Sequence, residues 1–529
     1  MKSFLVSAAL VASNVNVTEL VTATTPAIAT LKSGEIVGAQ KILPGLDTAV
    51  NQFLGVPYAA PPLGALRFAL PSPPTPWLTP RNVTAWPNAC TQQGNTDVLL
   101  APESEDCLYV NVFAPASPAP ASNGKGGRAV MVWIHGGGFK SGSASMTRHD
   151  GTSFAAHQDV VVVSMNYRLG AFGFPASPAI PTRKRNLGLY DQRLALQWVQ
   201  GEYRPFWGRP GQGHHLRREQ RCHVRLAAAI QQSGTYESAW VMDPPGDVLG
   251  PAAWPLLAKS LNCSSSAALG NVGVSMAADQ AAAELECVRA APASSIRAFV
   301  NDPSVSWTFA PVNDGITQLA DPDLARAEGH VAKIPLLIGT NANEGTMWTG
   351  SWTNLEDYDI SARGLGPNGE IIADGWHVNA AIDTDVEYTC PTSRVAQNAA
   401  FSLGLPVWRY FFNATFPNTA IREGLGAYHS SEIPIVFGAY PEANATADQA
   451  RLSKAMQTAW ANFAKDPYGA GPGWAAVGSG NADQYPVVAL NVDTDPTVKG
   501  WALIDSGAVD GACRLFELTY KYRRGSPWW

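Results

Sequence analysis

The stretch Val130-Met131-Val132-Trp133-Ile134-His135-Gly136-Gly137-Gly138 decides the fold of this chain. Five mostly apolar, β-prone residues predict a fully buried strand, and three consecutive glycines follow where that strand ends. A second apolar run, Val160–Ser164, comes after a polar segment that is long enough for a helix. Strand, loop, helix and strand in this order predict a βαβ unit with its glycine loop at the carboxyl end of the first strand.

The glycine loop admits two explanations. Glycines let the backbone turn sharply and bring bare N–H groups close to a ligand, which is what binding of an anionic reaction intermediate requires. The alternative is a plain glycine turn. The histidine directly before the glycines favours the first explanation, because His-Gly-Gly-Gly is the oxyanion-binding motif of esterases and lipases.

Length and composition limit the classes of protein to consider. A chain of 529 residues can form two or three domains, or one large α/β sheet with excursions. Its 46% hydrophobic and 15% charged residues predict a globular protein. A net charge of −6 gives no reason to expect nucleic acid or an acidic membrane as partner, and no apolar run approaches the roughly 20 residues that span a bilayer. No metal-ligand spacing or phosphate loop stands out, so we expect neither metal nor cofactor.

The N-terminus predicts secretion. A short basic start and the apolar run Phe4–Ala12 resemble a signal peptide, to which we assign residues 1–18; a frayed terminus is the alternative. Five Asn-x-Ser/Thr sequons agree with secretion. One of them, Asn16, lies near the expected cleavage point, and we expect glycosylation at the other four: Asn82, Asn262, Asn413 and Asn444.

Seven cysteines are an odd number, which calls for an explanation in a secreted protein. Cys222 is the one left over when the others are considered as pairs. The possible pairs are two short loops and one long-range link: Cys90 with Cys107, Cys263 with Cys287, and Cys390 with Cys513.

Several segments together resemble one family. They are Phe53–Phe68, Glu105–Val112, His135–Phe139, Asn166–Phe174 and Asn186–Gln192. From about Gly34 to the C-terminus, the chain is similar to the type-B carboxylesterases and lipases, the cholinesterase-like branch of the α/β hydrolases. The resemblance implies one α/β-hydrolase domain over residues 19–529, in which helices flank a large, mostly parallel sheet with helical excursions, and it supports the three cysteine pairs.

The same resemblance assigns roles to further side chains. Arg67 is expected to pair with Glu105, and Arg168 with Asp191, as structural ion pairs. Pocket walls vary within the family, so Phe139 and Trp348 are only candidates for that role.

Two candidate catalytic side chains follow strands in the second half of the chain. Glu344 comes shortly after the apolar run Lys333–Thr340, and His429 lies on a polar loop after the run Pro406–Phe412. A solvated loop carboxylate and a structural histidine are the alternatives. Both positions match the acid and the histidine of the family, which follow the serine in this chain order. The resemblance therefore implies a Ser-Glu-His triad with Gly137 and Gly138 as oxyanion donors.

The expected nucleophile is missing. The family carries a buried strand and the elbow G-x-S-x-G where this chain has residues 206–227, which are rich in Arg and His and show neither helix nor strand periodicity. Strict G-x-S-x-G occurs nowhere in the sequence. The weaker strings Gly151–Ala155 and Gly273–Ala277 do not follow strands, so we do not assign the elbow to them.

A shifted reading frame explains this segment. Back-translated and read one nucleotide later, residues 206–224 permit F-G-G-D-P-G-K-V-T-I-F-G-E-S-S-G-A-T-S, which is the strand and elbow of the family. Glu219 and Gln220 both permit serine, and Cys222 permits alanine, which leaves six cysteines. Between this segment and Ser233 the chain is also short by roughly a dozen residues against the elbow helix of the family. A misread splice junction or a sequencing error would produce a shift with such a loss.

Two functions follow from these alternatives. In the first, the gene encodes a secreted carboxylic ester hydrolase that acts on small-molecule or lipid esters, and residues 206–227 are an artefact. In the second, the chain is correct as given and is a catalytically dead, esterase-like binding or adhesion protein, or a non-functional product. The retained Glu344, His429, glycine loop and pairable cysteines favour the first.

The shifted segment generates a prediction about folding. Arg217, Arg218 and Arg221 stand where the resemblance places a buried strand and helix, and each unpaired buried charge costs several kcal/mol, against a domain stability of about 5–15 kcal/mol. We expect the chain as given not to be secreted as a stable protein. Thermal melting of the expressed chain measures this, and a soluble product that melts cooperatively would contradict it.

Overall fold

A computed structural model of the chain describes residues 25–94, 99–118, 127–206, 227–235, 250–264, 278–302, 309–319, 325, 328, 330–347, 375–482, 484–491 and 501–516. The predicted signal peptide with Asn16 lies outside the described residues, and so does Trp348. Most of the anomalous segment, residues 207–226 with Glu219, Gln220 and Cys222, also lies outside them.

The described strands run from the N-terminus almost to the end of the chain. They are Pro26–Leu31 (β1), Gly34–Ile42 (β2), Ala49–Pro57 (β3), Arg81–Asn82 (β4), Ala89–Cys90 (β5), Glu103–Ser104 (β6), Tyr109–Pro115 (β7), Val130–Ile134 (β8), Val161–Met165 (β9), Ala229–Gln232 (β10), Leu336–Asn341 (β11), Val407–Phe412 (β12), Pro486–Leu490 (β13) and Trp501–Asp505 (β14).

The α-helices fall between these strands. They are Thr152–Gln158 (α1), Gly170–Gly173 (α2), Leu187–Glu202 (α3), Gly250–Ser260 (α4), Ala278–Ala290 (α5), Ala293–Val300 (α6), Gly375–Thr384 (α7), Cys390–Gln397 (α8), Ile433–Phe437 (α9), Ala447–Lys465 (α10) and Gly507–Asp510 (α11). Two π-helices, Asp385–Thr389 and Asn398–Ser402, precede and follow α8. Among the described helices, none is long and apolar enough to cross a membrane.

The strands form a large mixed arrangement in two parts. The N-terminal part has the order β1-β2-β3-β7-β9-β8; it is antiparallel up to β9, and β8 then joins β9 in parallel. The short β4 pairs with β2 in parallel. The C-terminal part has the order β10-β11-β12-β13-β14, parallel except for the last, antiparallel pair. The short strands β5 and β6 form a separate parallel pair.

Helices cover both faces of this sheet. Phe154 of α1 and Trp460 of α10 belong to the same buried cluster as Val162 of β9 and Leu337 of β11. Trp198 of α3 packs in a second cluster, with strands of the N-terminal part. A mixed sheet between two helical layers in a single domain confirms the predicted α/β-hydrolase fold.

One expectation about this sheet is wrong. All five residues of β8, Val130–Ile134, are half-buried rather than fully buried. The adjacent β9, Val161–Met165, is buried at every position because it has strands on both sides. β8 and β10 are each paired on one side only within the described residues, and β10 is likewise half-buried throughout.

The predicted cysteine pairs and ion pairs link segments that are distant in the chain. The structure forms disulfides between Cys90 and Cys107, Cys263 and Cys287, and Cys390 and Cys513. Arg67 binds both carboxylate oxygens of Glu105, at 2.6 and 2.5 Å, and also donates to the carbonyl oxygens of Arg289 and Ala291 at the end of α5. Arg168 makes three hydrogen bonds to Asp191 at the first turns of α3, where both side chains are buried.

A buried arginine ties the C-terminal segment to β12. Arg409 is fully buried and donates to both carboxylate oxygens of Asp510, at 2.5 and 2.7 Å. Its Nη1 also donates to the Tyr485 hydroxyl, which in turn donates to Asp510. Burial alone would lower the pKa of Arg409, but the charge of Asp510 and these hydrogen bonds raise it. Asp510 is thus the counter-ion that offsets the burial of this guanidinium.

This dependence gives a stability prediction. We expect Asp510→Ala to lower the free energy of unfolding by about 3–5 kcal/mol, because it leaves the Arg409 charge buried without a counter-ion. Urea unfolding measures the loss. The double variant Arg409→Met with Asp510→Leu, which removes both charges, should lose less. An equal or larger loss in the double variant would contradict the explanation.

Candidate active site

The centre of the site is a hydrogen bond between two side chains that are distant in sequence. His429 Nδ1 lies 2.7 Å from Glu344 Oε2. Glu344 is fully buried and begins a 3₁₀ turn just after β11, where its Oε1 accepts the backbone N–H of Asn341 at 2.6 Å. The His429 side chain keeps 23% of its surface exposed. The carboxylate is thus fixed in the interior, and the imidazole reaches from it toward the surface.

Hydrogen bonds between the loop that carries Glu344 and the loop that carries His429 hold these two residues together. Asn343 N donates to the Ala427 carbonyl, and Ala427 N donates to Asn343 Oδ1, both at 3.0 Å. Gly426 makes this close approach possible, since it has φ of +64° and a Cβ there would lie 2.3 Å from Asn343 Oδ1. Below them, β11 and β12 run parallel with Asn341 opposite Phe412, so both loops leave the same end of the sheet.

The carboxylate controls the charge of the imidazole. Burial lowers the pKa of His429, but the charge of Glu344 and its hydrogen bond outweigh burial and leave the pKa above its ordinary value. Glu432 raises this pKa further, while Arg148 lowers it. A base poised in this way takes up a proton readily and holds the resulting cation against a fixed counter-ion.

Sequence reasoning missed Glu432, a second buried carboxylate beside this pair. Its two oxygens accept hydrogen bonds from Asn341 Nδ2 at 2.6 Å and from Gln232 Nε2 at 3.1 Å. Burial and repulsion from Glu344 raise its pKa. The available signal was an acidic residue three positions after His429, directly before the apolar helix α9, where a solvated glutamate is not expected.

The glycine loop presents backbone N–H groups beyond the end of β8. Gly137 and Gly138 have φ of +109° and +58°, and both are exposed. A Cβ on Gly137 would lie 2.1 Å from the Ser141 carbonyl oxygen, so only glycine fits there. No hydrogen bond within the described part of the chain uses either amide as donor. This geometry suits a pair of donors that await an anionic oxygen.

The residues on both sides hold this loop in place. The His135 ring stacks on the Tyr167 ring with centroids 4.4 Å apart, and the Tyr167 hydroxyl donates to the His135 carbonyl at 2.8 Å. Burial lowers the pKa of His135 to about 4, so this imidazole is neutral. Phe139 packs edge-on against Phe174 at 5.3 Å, and its carbonyl accepts the N–H of Gly170. The candidate wall residue Phe139 is therefore part of the loop's support.

Aromatic contacts connect the glycine loop with the histidine loop. Trp133, two residues before His135, packs against Phe437 at 5.1 Å. Phe437 ends α9, which begins just after Glu432. Arg148 lowers the pKa of both His135 and His429, which puts both imidazoles within its electrostatic range.

The four predicted glycosylation sites lie on the surface. All four described sequon asparagines, Asn82, Asn262, Asn413 and Asn444, are exposed. Among the described residues, no group of three or more His, Cys, Asp or Glu side chains is arranged to hold a metal ion.

An α/β-hydrolase sheet with a carboxylate–histidine pair beyond two strand ends, and a glycine loop beyond a third, defines a hydrolase of the acyl-transfer type. The comparison with family models agrees, since residues 25–212 and 376–500 match the carboxylesterase family. This chain belongs to that family and is, by that resemblance, a serine carboxylesterase. The first matched region ends at residue 212, inside the anomalous segment.

Individual relatives cover most of the chain. It is 31% identical over 519 residues to an acetylcholinesterase of Bungarus fasciatus, which covers 86% of this chain and 82% of the relative. It is also 31% identical to a cholinesterase of Mus musculus, over 87% of this chain and 81% of the relative. A para-nitrobenzyl esterase of Bacillus subtilis is 32% identical, over 79% of this chain and 87% of the relative.

The contact between His429 and Glu344 predicts the outcome of a titration. We expect Glu344→Gln to lower the pKa of His429 by roughly 1–3 units, because the opposite charge is lost while the burial that opposes protonation remains. NMR titration of the imidazole in the folded protein measures the shift. Glu442→Gln, at an exposed position, is the control and should leave this pKa unchanged. An unchanged pKa in the Glu344 variant would contradict the assigned contact.

Proposed function

We propose that the gene encodes a secreted serine ester hydrolase whose nucleophile has been lost from the given sequence by a shift of reading frame. The observation that carries the proposal is the 2.7 Å contact between His429 and Glu344. Such a pair needs a hydroxyl nucleophile to complete a triad, and no other catalytic use of it is evident among the described residues. The substrate class is a carboxylic ester of a small molecule or a lipid.

The reaction proceeds through an acyl-enzyme. His429 takes the proton of the serine hydroxyl as it attacks the ester carbonyl, and returns this proton to the leaving alcohol, which leaves an acyl-enzyme. Water, deprotonated by His429, then attacks the acyl-enzyme and releases the carboxylic acid, and the proton returns to the serine. The Nε2 atom of His429 takes up and returns this proton, because Nδ1 is hydrogen-bonded to Glu344. Glu344 fixes the imidazole tautomer and stabilises the imidazolium that forms. The amides of Gly137 and Gly138, with that of the residue after the serine, bind the oxyanion; losing one such donor costs about 3–4 kcal/mol of the barrier.

The partial burial of β8 and β10 and the order of elements along the chain support the shifted frame. The strands β9 and β11 are fully buried, whereas β8 and β10 are half-buried. Between β8 and β10 in the chain lies the anomalous segment, whose shifted frame permits Val-Thr-Ile-Phe followed by Gly-Glu-Ser-Ser-Gly. A β-prone run that enters a nucleophile elbow is what the family carries at this place in the chain. The third position of this elbow falls at Glu219.

Two observations support secretion. The three disulfides are typical of proteins that fold in an oxidising compartment. The four described sequons are exposed, as carriers of N-linked glycans must be. The signal peptide at residues 1–18 and the glycans remain predictions.

A second candidate rests on the sequence as given. Because it contains no G-x-S-x-G, a chain translated in this frame would be an esterase-like protein without catalysis, at most a binding module. The hydrogen bond between His429 and the buried Glu344 argues against a role in binding alone, since a binding surface does not need a buried carboxylate that orients an imidazole.

Expression of two matched chains tests the proposal. In one, residues 206–227 are replaced by the shifted-frame sequence; the other keeps the sequence as given. We expect the restored chain to hydrolyse para-nitrophenyl acetate and the chain as given to show no hydrolysis above background. In the restored chain, His429→Ala should lower kcat by roughly 10⁴–10⁶-fold, because members of a triad act as a unit.

Gly137→Ala in the restored chain examines the oxyanion donors separately. A methyl group there collides with the Ser141 carbonyl, so we expect kcat to fall about 10²–10³-fold. Gly45→Ala, at an exposed turn where a Cβ meets nothing within 4 Å, is the control for backbone strain, since Gly45 also has a positive φ of +75°. A folded restored chain with no esterase activity would refute the proposed function.

A further inference from the structure

Tyr388 packs against the imidazole of the catalytic pair. The centroids of the Tyr388 and His429 rings are 5.0 Å apart, with 44° between the ring planes. Tyr388 is only 6% exposed, so its ring is held in the interior beside the partly exposed histidine. This distance lies within the range for aromatic pairs, and also within the 6 Å or so at which a ring attracts a cation.

The element that carries Tyr388 is an irregular one. Asp385–Thr389 is a π-helix between α7 and α8, and the N–H of Cys390 donates to the Asp385 carbonyl five residues earlier. Such wide turns cost regular helical hydrogen bonding and are frequent at functional sites. Here the turn brings Tyr388 to His429.

The same segment also contacts the acid side of the pair. The hydroxyl of Thr384, at the end of α7, accepts the N–H of Gly345 at 2.9 Å. A Cβ on Gly345 would lie 2.3 Å from the Ala380 carbonyl, so α7 lies directly on the turn that begins at Glu344. Directly after the π-helix, the disulfide from Cys390 to Cys513 anchors the segment. One anchored segment therefore touches both loops of the pair.

We propose that Tyr388 is a positioning residue for ester hydrolysis, whose ring confines the His429 imidazole against Glu344 and stabilises the imidazolium formed during acylation. This inference rests on the proposed function, because only a chain with a nucleophile forms that imidazolium in turnover. The ring face attracts a cation more than a neutral imidazole, so its effect is larger in the transition state than in the resting enzyme.

Other charged groups act on the same imidazole and must be separated from the effect of Tyr388. Glu344 and Glu432 raise the pKa of His429, and Arg148 lowers it. Asp383, on α7, also interacts with both His429 and Glu344, and burial raises its own pKa to about 6. None of these charges changes when Tyr388 is replaced by Phe or Leu. A difference in the pKa of His429 between these two variants is therefore due to the aromatic ring.

The test uses the full-length chain with the restored elbow, and compares Tyr388→Phe with Tyr388→Leu. In the leucine variant we expect the pKa of His429, followed by NMR, to fall by roughly 0.5–1.5 units. The acidic limb of kcat/KM should move to lower pH by the same amount, and kcat at high pH should fall roughly 2- to 10-fold. The phenylalanine variant keeps the ring and should behave like the parent in all three measurements.

Phe463→Leu is the matched control for loss of a buried aromatic ring. Phe463 packs edge-on against Trp408 in the core, so its loss should lower the melting temperature without moving the pKa of His429. A Tyr388→Leu variant that loses stability like this control but keeps the pKa and the pH profile would overturn the proposal. If the restored parent hydrolyses no ester, the proposed function fails, while the NMR titration still decides the effect of Tyr388 on His429.

Discussion

Backbone pairing in the middle of the sheet is the constraint on which the rest of this structure depends. Among the described residues, β8 pairs with β9 and β10 pairs with β11, and backbone N–H and C=O groups must be paired wherever they are removed from water. Both strands also contribute side chains to the shared core, including Met131 and Trp133 from β8 and Ile230 from β10. Under the proposed shifted frame, a β-prone strand from the segment between them enters the nucleophile elbow, so fold and catalysis depend on the same few residues.

The other parts of the site do not depend on that strand. Glu344 and His429 are joined through loops that leave β11 and β12, and these strands pair with each other in register. The glycine loop rests on Tyr167 and on a hydrogen bond between Phe139 and Gly170, in the N-terminal part of the sheet. The acid–base pair and the glycine loop are therefore each held by described parts of the fold. Preorganised donors and a fixed acid–base pair supply much of the rate acceleration in acyl transfer. The presence of both in this chain therefore supports the proposed ester hydrolysis.

Local patterns in the sequence predicted much of this. The strand before the glycines, the strand before Glu344 and the strand before His429 were recognisable, because each is a short apolar run rich in β-branched or aromatic residues and bounded by turn residues. The mixed sheet and the ion pairs Arg67–Glu105 and Arg168–Asp191 came from the resemblance and not from periodicity. The full burial expected for Val130–Ile134 was wrong, because burial depends on a neighbouring strand and not on the apolar run itself. Tyr388 and Glu432 escaped notice for a related reason: their roles arise from contacts across the fold that no local pattern encodes.

The proposed function depends on a shifted reading frame that hides the nucleophile, and the nucleotide sequence of the transcript across codons 200 to 235 decides whether that shift exists. We expect a reading frame that passes through Gly-Glu-Ser-Ser-Gly at codons 217 to 221 and rejoins the given frame before the strand at Ala229. A transcript that encodes Arg217 to Arg225 as given would contradict it, and the intact His429–Glu344 pair would then belong to a protein that hydrolyses no ester.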